Sequence, residues 1–224
     1  DIDLKKSNEI CKHLTFIPEV NKFVRPNRFN QETGEPVRMY YTKDGKTRLP
    51  YRFSCSYFQK IFNTEIVFPK IFESRKGNFS GKLLERQEEP FKEAVSYLKK
   101  YNTVTIALYP GFGKTFMGSM LSWYFNLYTC ILVHRENVGK QWVKTFEKYL
   151  NLKKEEIWYV DDKIKKDAKI LICMDGRTDK IPQELKDKIG CLIIDEAHCF
   201  CAPSKVKPLL SFSPKYTIAE TATP

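Results

Sequence analysis

Two short stretches of this chain combine residue types that do phosphate chemistry. The first is Leu108-Tyr109-Pro110-Gly111-Phe112-Gly113-Lys114-Thr115. Gly111 and Gly113 allow the backbone to turn with its N–H groups pointing inward, so that the loop and the N-terminus of a following helix cradle phosphate oxygens. Lys114 is then placed to reach β- and γ-phosphates, and the Thr115 hydroxyl to hold Mg²⁺. The second is Cys191-Leu192-Ile193-Ile194-Asp195-Glu196-Ala197-His198, an apolar run that ends in paired carboxylates. At a nucleotide site Asp195 would hold the metal and Glu196 would act as the base that orients the attacking water.

Each stretch has a plain alternative, and the surrounding pattern decides between them. A glycine-rich turn before a helix is ordinary by itself. Here the β-branched run Thr103 to Leu108 leads into the loop and an apolar helical pattern from Phe116 to Phe125 leaves it, giving strand, loop and helix. A strand followed by an acidic helix start would explain Asp195-Glu196 alone. The apolar run before it instead reads as a buried parallel strand that delivers Asp195 to the C-terminal edge of a sheet, downstream of the loop.

Taken together, these residues resemble the first half of a superfamily 2 helicase motor, with the Asp-Glu-Ala-His form of motif II. The strict phosphate-loop template has a glycine where this chain has Leu108, and the helicase form of the loop fits better. Further motifs fall in the family's order over residues 80–224. Gln87 precedes the loop, Ile131 to Arg135 with Gln141-Trp142 resemble motif Ia, Asp175 to Thr178 resemble motif Ib, and Thr221-Ala222-Thr223-Pro224 resemble motif III. The resemblance implies ATP and Mg²⁺ as cofactors. It implies a nucleotide site of Gln87, Pro110, Gly111, Phe112, Gly113, Lys114, Thr115 and Phe116, with Thr115 and Asp195 on the metal. Lys114, Asp195, Glu196 and His198 are its catalytic group, Arg135, Arg177 and Thr178 its nucleic-acid contacts, and Thr221 and Thr223 its coupling hydroxyls. Gln87 is either an adenine reader or a surface glutamine, since the arginine and aromatic that usually precede it are not reproduced. Arg135 is either a backbone contact or an ion-pair partner, and Trp142 reads as core.

The finer wording, Tyr-Pro-Gly-Phe-Gly-Lys-Thr, Val-His-Arg-Glu-Asn and Asp-Glu-Ala-His-Cys-Phe-Cys-Ala-Pro-Ser, is similar to the transcript-release helicases of poxviruses and African swine fever virus. That similarity implies a DNA-dependent ATPase of 3′ to 5′ polarity, working with transcription machinery in a cytoplasmic virus factory. Two other readings stay open: a duplex translocase of the restriction or remodelling kind, and a non-catalytic nucleic-acid-binding module. Intact Lys114, Asp195 and Glu196 speak against the module. The chain ends directly after motif III, so the expectation is an N-terminal fragment that binds ATP but hydrolyses it barely, since an arginine from a second lobe contributes roughly 10³ to 10⁵ in turnover.

The rest of the chain fits this frame. Its 224 residues carry a formal charge of +11, a balance that favours a polyanionic partner. Seven cysteines, an odd number with no C-x-x-C pair, point to a reducing compartment, and His198-Cys199-Phe200-Cys201 lacks the second ligand pair a zinc site needs. No run approaches the roughly 18 apolar residues of a membrane span, and the start is no signal peptide. The expected protein is monomeric, soluble and intracellular.

The α/β domain, a RecA-like parallel sheet, is expected over residues 81–224. Residues 1–80 lack its strand and helix alternation. They hold nine Lys and six Arg against nine acidic residues, with aromatics at Tyr40, Tyr41, Tyr51, Phe53, Tyr57, Phe58 and Phe62. A small α+β or mostly β accessory domain follows, its aromatics forming a core and part of its basic surface meeting nucleic acid. Asp44-Gly45 predicts a hairpin there, and the Gly/Ser/Asn stretch around residues 75–81 the domain boundary.

Overall fold

A computed structural model describes residues 4–17, 36–43, 46–50, 53–54, 72–75, 77–150, 152–161 and 163–222. Tyr51, Tyr57, Phe58, Phe62, Thr223 and Pro224 lie outside the described residues.

The sheet follows from the apolar runs. β5 (Thr103–Ala107), β6 (Thr129–Val133), β7 (Ile157–Tyr159), β8 (Ile170–Met174), β9 (Cys191–Asp195) and β10 (Tyr216–Thr221) form one six-stranded sheet in the order β5-β10-β9-β6-β8-β7. Every pairing is parallel. Every residue of β6 and β9 is buried, as strands covered on both faces require. Because side chains alternate, Ile131, Val133 and Ile193 join one core while Cys130, Leu132 and Leu192 join a second core on the opposite face.

Among the described residues five helices cover or cap these cores. α2 (Glu85–Tyr101), α3 (Lys114–Phe125) and α4 (Glu136–Tyr149) pack against the first face, where Phe91, Leu98, Met117, Leu121, Trp142 and Phe146 interlock. The second face is closed by Leu185 of α5 (Gln183–Lys188), by Ile181, Phe200 and Phe212, and by Leu209 of α6 (Pro203–Leu210). This is the expected RecA-like α/β arrangement. α2 begins five residues before Pro90, which lies inside it. The Gln87 side chain caps the Leu84 N–H at 2.9 Å, so the helix is already nucleated when Pro90 arrives in its early turns.

The N-terminal part has different structure. α1 (Leu4–His13) buries Ile10 and leads into β1 (Thr15–Phe16), which pairs antiparallel with β2 (Val37–Arg38). β3 (Tyr41–Lys43) and β4 (Lys46–Arg48) pair antiparallel, with Thr42 opposite Thr47, on either side of Asp44-Gly45, which lie outside the described residues.

Residues 72–75 and 77–80 are not a bare linker. Ser74 bridges to Leu127, and Phe79 bridges to Leu150 and stacks on Tyr149 at 5.8 Å. Arg75, only 1 % exposed, donates to the Ser122 carbonyl at 2.9 Å, near the C-terminal end of α3 where a cation is favoured. Burial pulls its guanidinium pKa down to about 10.

Candidate nucleotide site

The parallel register brings the chemistry-bearing segments to one edge. Glu220 lies opposite Asp195 on one side and Ile106 on the other, and the Leu108 N–H donates to the Thr221 carbonyl at 3.1 Å. The loop after β5, the carboxylates after β9 and the end of β10 therefore meet at the C-terminal ends of the strands, where open parallel sheets bind ligands.

The loop has the predicted backbone. Gly111 has φ +81° and Gly113 φ +99°, conformations glycine adopts without strain. Gly113 caps α3, so the first turn of that helix, with Lys114 and Thr115, faces a cavity of about 710 Å³. Pro110, Gly111, Phe112, Gly113 and Phe116 line the same cavity, with Asp195 and Glu196 across it. The Lys114 ammonium donates to the Leu108 carbonyl at 3.0 Å, which holds it at the loop. Phe116 meets Tyr149 edge-on at 5.0 Å and forms part of an apolar wall.

The carboxylates are held in distinct ways. Asp195 is buried, and that desolvation raises its pKa while the Trp142 indole, donating to Oδ2 at 2.6 Å, opposes the rise. Glu196 takes the left-handed region at φ 50°, an uncommon conformation for a residue with a Cβ, which turns the chain out of the sheet into the cavity. Its Oε2 is buried with no hydrogen-bond partner and lies 3.5 Å from His198 Nδ1. His198 Nδ1 also lies 3.0 Å from the Thr221 hydroxyl, which joins the end of β9 to the end of β10.

This arrangement fits a magnesium nucleotide. The two positive-φ glycines form a cradle of backbone amides, Lys114 and the α3 N-terminus supply positive potential, and Glu196 adds to the same cavity a carboxylate oxygen that makes no hydrogen bond. Thr115 and Asp195 line this cavity and would be the oxygen ligands to Mg²⁺, a small number that suits an ion keeping several waters and phosphate oxygens.

The remaining expected residues are placed unevenly. Gln87 is no surface glutamine: it is 3 % exposed, and its Nε2 donates to the Phe112 carbonyl at 2.8 Å. Arg135, at the start of α4, is exposed and makes no ion pair among the described residues. Arg177 is exposed and lies 3.4 Å from the Val160 carbonyl, whereas Thr178 is buried, so of that pair only Arg177 faces outward. Asp175, just after β8, pairs with Lys205 of α6 and lies 3.5 Å from His134 Nδ1.

Two residues at the site were not expected there. Trp142 is core, as read, but its indole N–H orients Asp195. Glu220 is wholly buried with both oxygens unpartnered, packed on Gly118 of α3 in a gap that any Cβ would fill. The period-2 burial of Tyr216, Ile218 and Glu220 was the available signal, since Glu220 continues the inward face of β10.

Comparison with known proteins agrees with this geometry. Residues 80–224 match the family described as the type III restriction enzyme, res subunit. The chain is 29 % identical over 170 residues to 161L of Invertebrate iridescent virus 6, named as a candidate helicase, covering 73 % of this chain and 38 % of that protein. It is 28 % identical over 156 residues to 109L of Invertebrate iridescent virus 3, also named so, covering 65 % of this chain and 46 % of that protein. The chain thus spans less than half the length of these relatives. Its fold is similar to the UvsW helicase of bacteriophage T4, with a TM-score of 0.59 at 17 % identity over 99 % of this chain and 87 % of that one. It is also similar to the Sulfolobus solfataricus SWI2/SNF2 ATPase core in complex with dsDNA, with a TM-score of 0.54 at 21 % identity over 70 % of this chain and 35 % of that one. The chain belongs to the type III restriction enzyme res-subunit family, and residues 80–224 are a superfamily 2 helicase-type domain.

Proposed function

We propose that this chain supplies the first RecA-like lobe of an ATP-dependent DNA helicase or translocase. The observation that carries the proposal is the convergence of the Gly111–Thr115 loop, Asp195 and Glu196 on one cavity. In this reading Lys114 and the loop amides bind the triphosphate, Thr115 and Asp195 hold Mg²⁺, and Glu196 accepts a proton from the attacking water. The bound metal ion offsets charge on the phosphates. His198 and Thr221 pass the state of the site to the nucleic-acid side, where Arg135 and Arg177 contact backbone phosphates.

The chain alone is proposed to bind nucleotide with little turnover, the opposing wall of the site being contributed by a second lobe in the longer proteins to which it is related. A role in viral transcription, in host cytoplasm, is the setting favoured by the iridescent-virus relatives and by the resemblance to transcript-release helicases. The family match favours a second reading, a translocase that moves along duplex without separating its strands.

Nucleic-acid-stimulated ATPase, measured with duplex DNA, single-stranded DNA and RNA on a longer protein containing this chain and on the chain itself, tests the proposal. Stimulation of the longer protein by DNA, abolished by Lys114→Ala, is expected. Silence with all three polymers would overturn it. Strand displacement beside displacement of a third strand from duplex separates helicase from translocase.

A further inference from the structure

Three separate segments converge on the carboxylate of Asp175, which lies outside the lining of the nucleotide cavity. Asp175 opens the short turn of residues 175–180 that carries Arg177. It pairs with Lys205 of α6, and it lies 3.5 Å from Nδ1 of His134, the residue before Arg135. Asp175 is 8 % exposed and the Lys205 side chain 24 %, so this is no loose surface pair. Burial by itself pushes the Asp175 carboxyl up, but the Lys205 ammonium, the Gly176 N–H and the His134 ring outweigh it and hold the carboxyl below its ordinary value. The carboxylate therefore stays ionised. What a mostly buried pair of this kind supplies is fixed geometry, because removing either partner strands the other.

The geometry at stake is that of Arg135 and Arg177. They follow different strands, β6 and β8, whose ladder ends with Val133 opposite Met174. Beyond that pair the two turns meet through His134 and Asp175, and Lys205 reaches the same carboxylate from α6, the helix that follows His198. A carboxylate beside two phosphate-seeking arginines opposes nucleic acid by its charge. Its place there is explained if it sets where those arginines stand, since phosphate contacts fix the register of a protein on its duplex.

Building on the nucleic-acid reading above, we infer that Asp175 and Lys205 are positioning residues for the nucleic-acid edge: their ion pair holds the turns bearing Arg135 and Arg177 at the spacing that backbone phosphates require, and neither residue contacts nucleic acid itself.

The test is duplex DNA binding to the chain, read by fluorescence anisotropy at fixed salt. Asp175→Asn removes a negative charge from a basic surface, and charge alone predicts tighter binding. The inference predicts the opposite, a weakening of roughly tenfold, about what one hydrogen bond to a charged group contributes. Lys205→Met should weaken binding by a similar factor, and the two substitutions together no further than either alone, because both break one interaction. Lys205→Arg, which keeps a cation against the carboxylate, should retain the affinity. Added to Arg135→Ala with Arg177→Ala, Lys205→Met should cost nothing more, since Lys205 acts through those arginines.

Unchanged or tighter binding by Asp175→Asn, with Arg135→Ala and Arg177→Ala still weakening it, would overturn the inference and leave the reading of the arginines intact. A further loss when Lys205→Met joins the two arginine substitutions would make Lys205 a direct phosphate contact and also overturn it. Arginine variants that bind as well as the unaltered chain, or a chain that binds no DNA, would overturn the nucleic-acid reading and this inference together. Circular dichroism melts report whether each variant is folded. Should Asp175→Asn fail to fold, Lys205→Met with and without the arginine substitutions decides the matter by itself.

Discussion

The Trp142 indole N–H donates to Asp195 Oδ2 at 2.6 Å, across 53 residues of chain and inside the core. A tryptophan that belongs to the core by burial is thereby also the group that aims the carboxylate proposed above to hold the metal. Trp142 also fills the space beside Gly118 of α3, so the helix carrying Lys114, the helix after β6 and the end of β9 are set against one another at a single point.

Trp142→Phe keeps most of the packing and removes the donor. Residues that orient metal ligands affect activity by roughly 10- to 100-fold when altered, and a loss of that size in nucleic-acid-stimulated kcat is expected. Thermal unfolding should show a loss of roughly 1 to 3 kcal/mol, from leaving a buried carboxylate without its partner. The Asp195 pKa, already raised by burial and held back by this hydrogen bond, should climb further. The acidic limb of the activity profile should therefore move to higher pH. An unmoved profile would remove Trp142 from the site.

Glu196 presents its carboxylate from a strained backbone position, with no hydrogen bond to Oε2. Glu196→Gln preserves shape and removes the base. ATP should still bind in calorimetry while stimulated turnover falls by roughly two to four orders of magnitude, the range that a positioned base contributes. Turnover at the wild-type rate would assign the proton transfer elsewhere.

Glu220 sets a pH dependence of stability. Burial raises its carboxyl pKa well above the ordinary value of 4.5, with the nearby Asp195 adding to the rise. A raised folded-state pKa means the folded chain binds this proton more tightly than the unfolded chain. The contribution is fully present below the unfolded value and is lost as the pH rises through the folded-state value. Glu220→Met, which replaces an unpartnered buried carboxyl with an apolar chain of similar length, should therefore stabilise the fold by roughly 1 to 3 kcal/mol at pH 8. The gain should shrink towards pH 4. Chemical denaturation at several pH values measures both, and a gain independent of pH would contradict the assignment.

Binding to duplex DNA should weaken steeply with salt, because phosphate contacts release counterions. Arg135→Ala and Arg177→Ala should each lower affinity across all sequences and reduce the salt slope by about one. Fluorescence anisotropy between low and physiological salt reads both. Thr178→Val should leave DNA affinity unchanged, since Thr178 is buried. A flat salt dependence would mean the basic surface only meets solvent.

The sequence by itself determined the frame of this protein. Apolar runs at β6, β8 and β9, separated by helical periodicity, require a parallel sheet covered on both faces, and the residues after β5 and β9 are those a phosphate site needs. Such features are local, since a strand's period, a glycine pair before a lysine and an Asp-Glu after a strand are written in consecutive residues. Tertiary structure alone decided where polar atoms point. Gln87 could stand on the surface or in the site until Phe112, 25 residues away, was seen to accept from its amide. Trp142 could only be read as core until Asp195 came within 2.6 Å. Arg75, Thr178 and Glu220 are polar residues whose types favour the surface, and each is buried by elements far from it in the chain. A hydrogen-bond partner separated by tens of residues leaves no periodic trace, because it depends on how helices dock on the sheet and not on the order of neighbouring side chains.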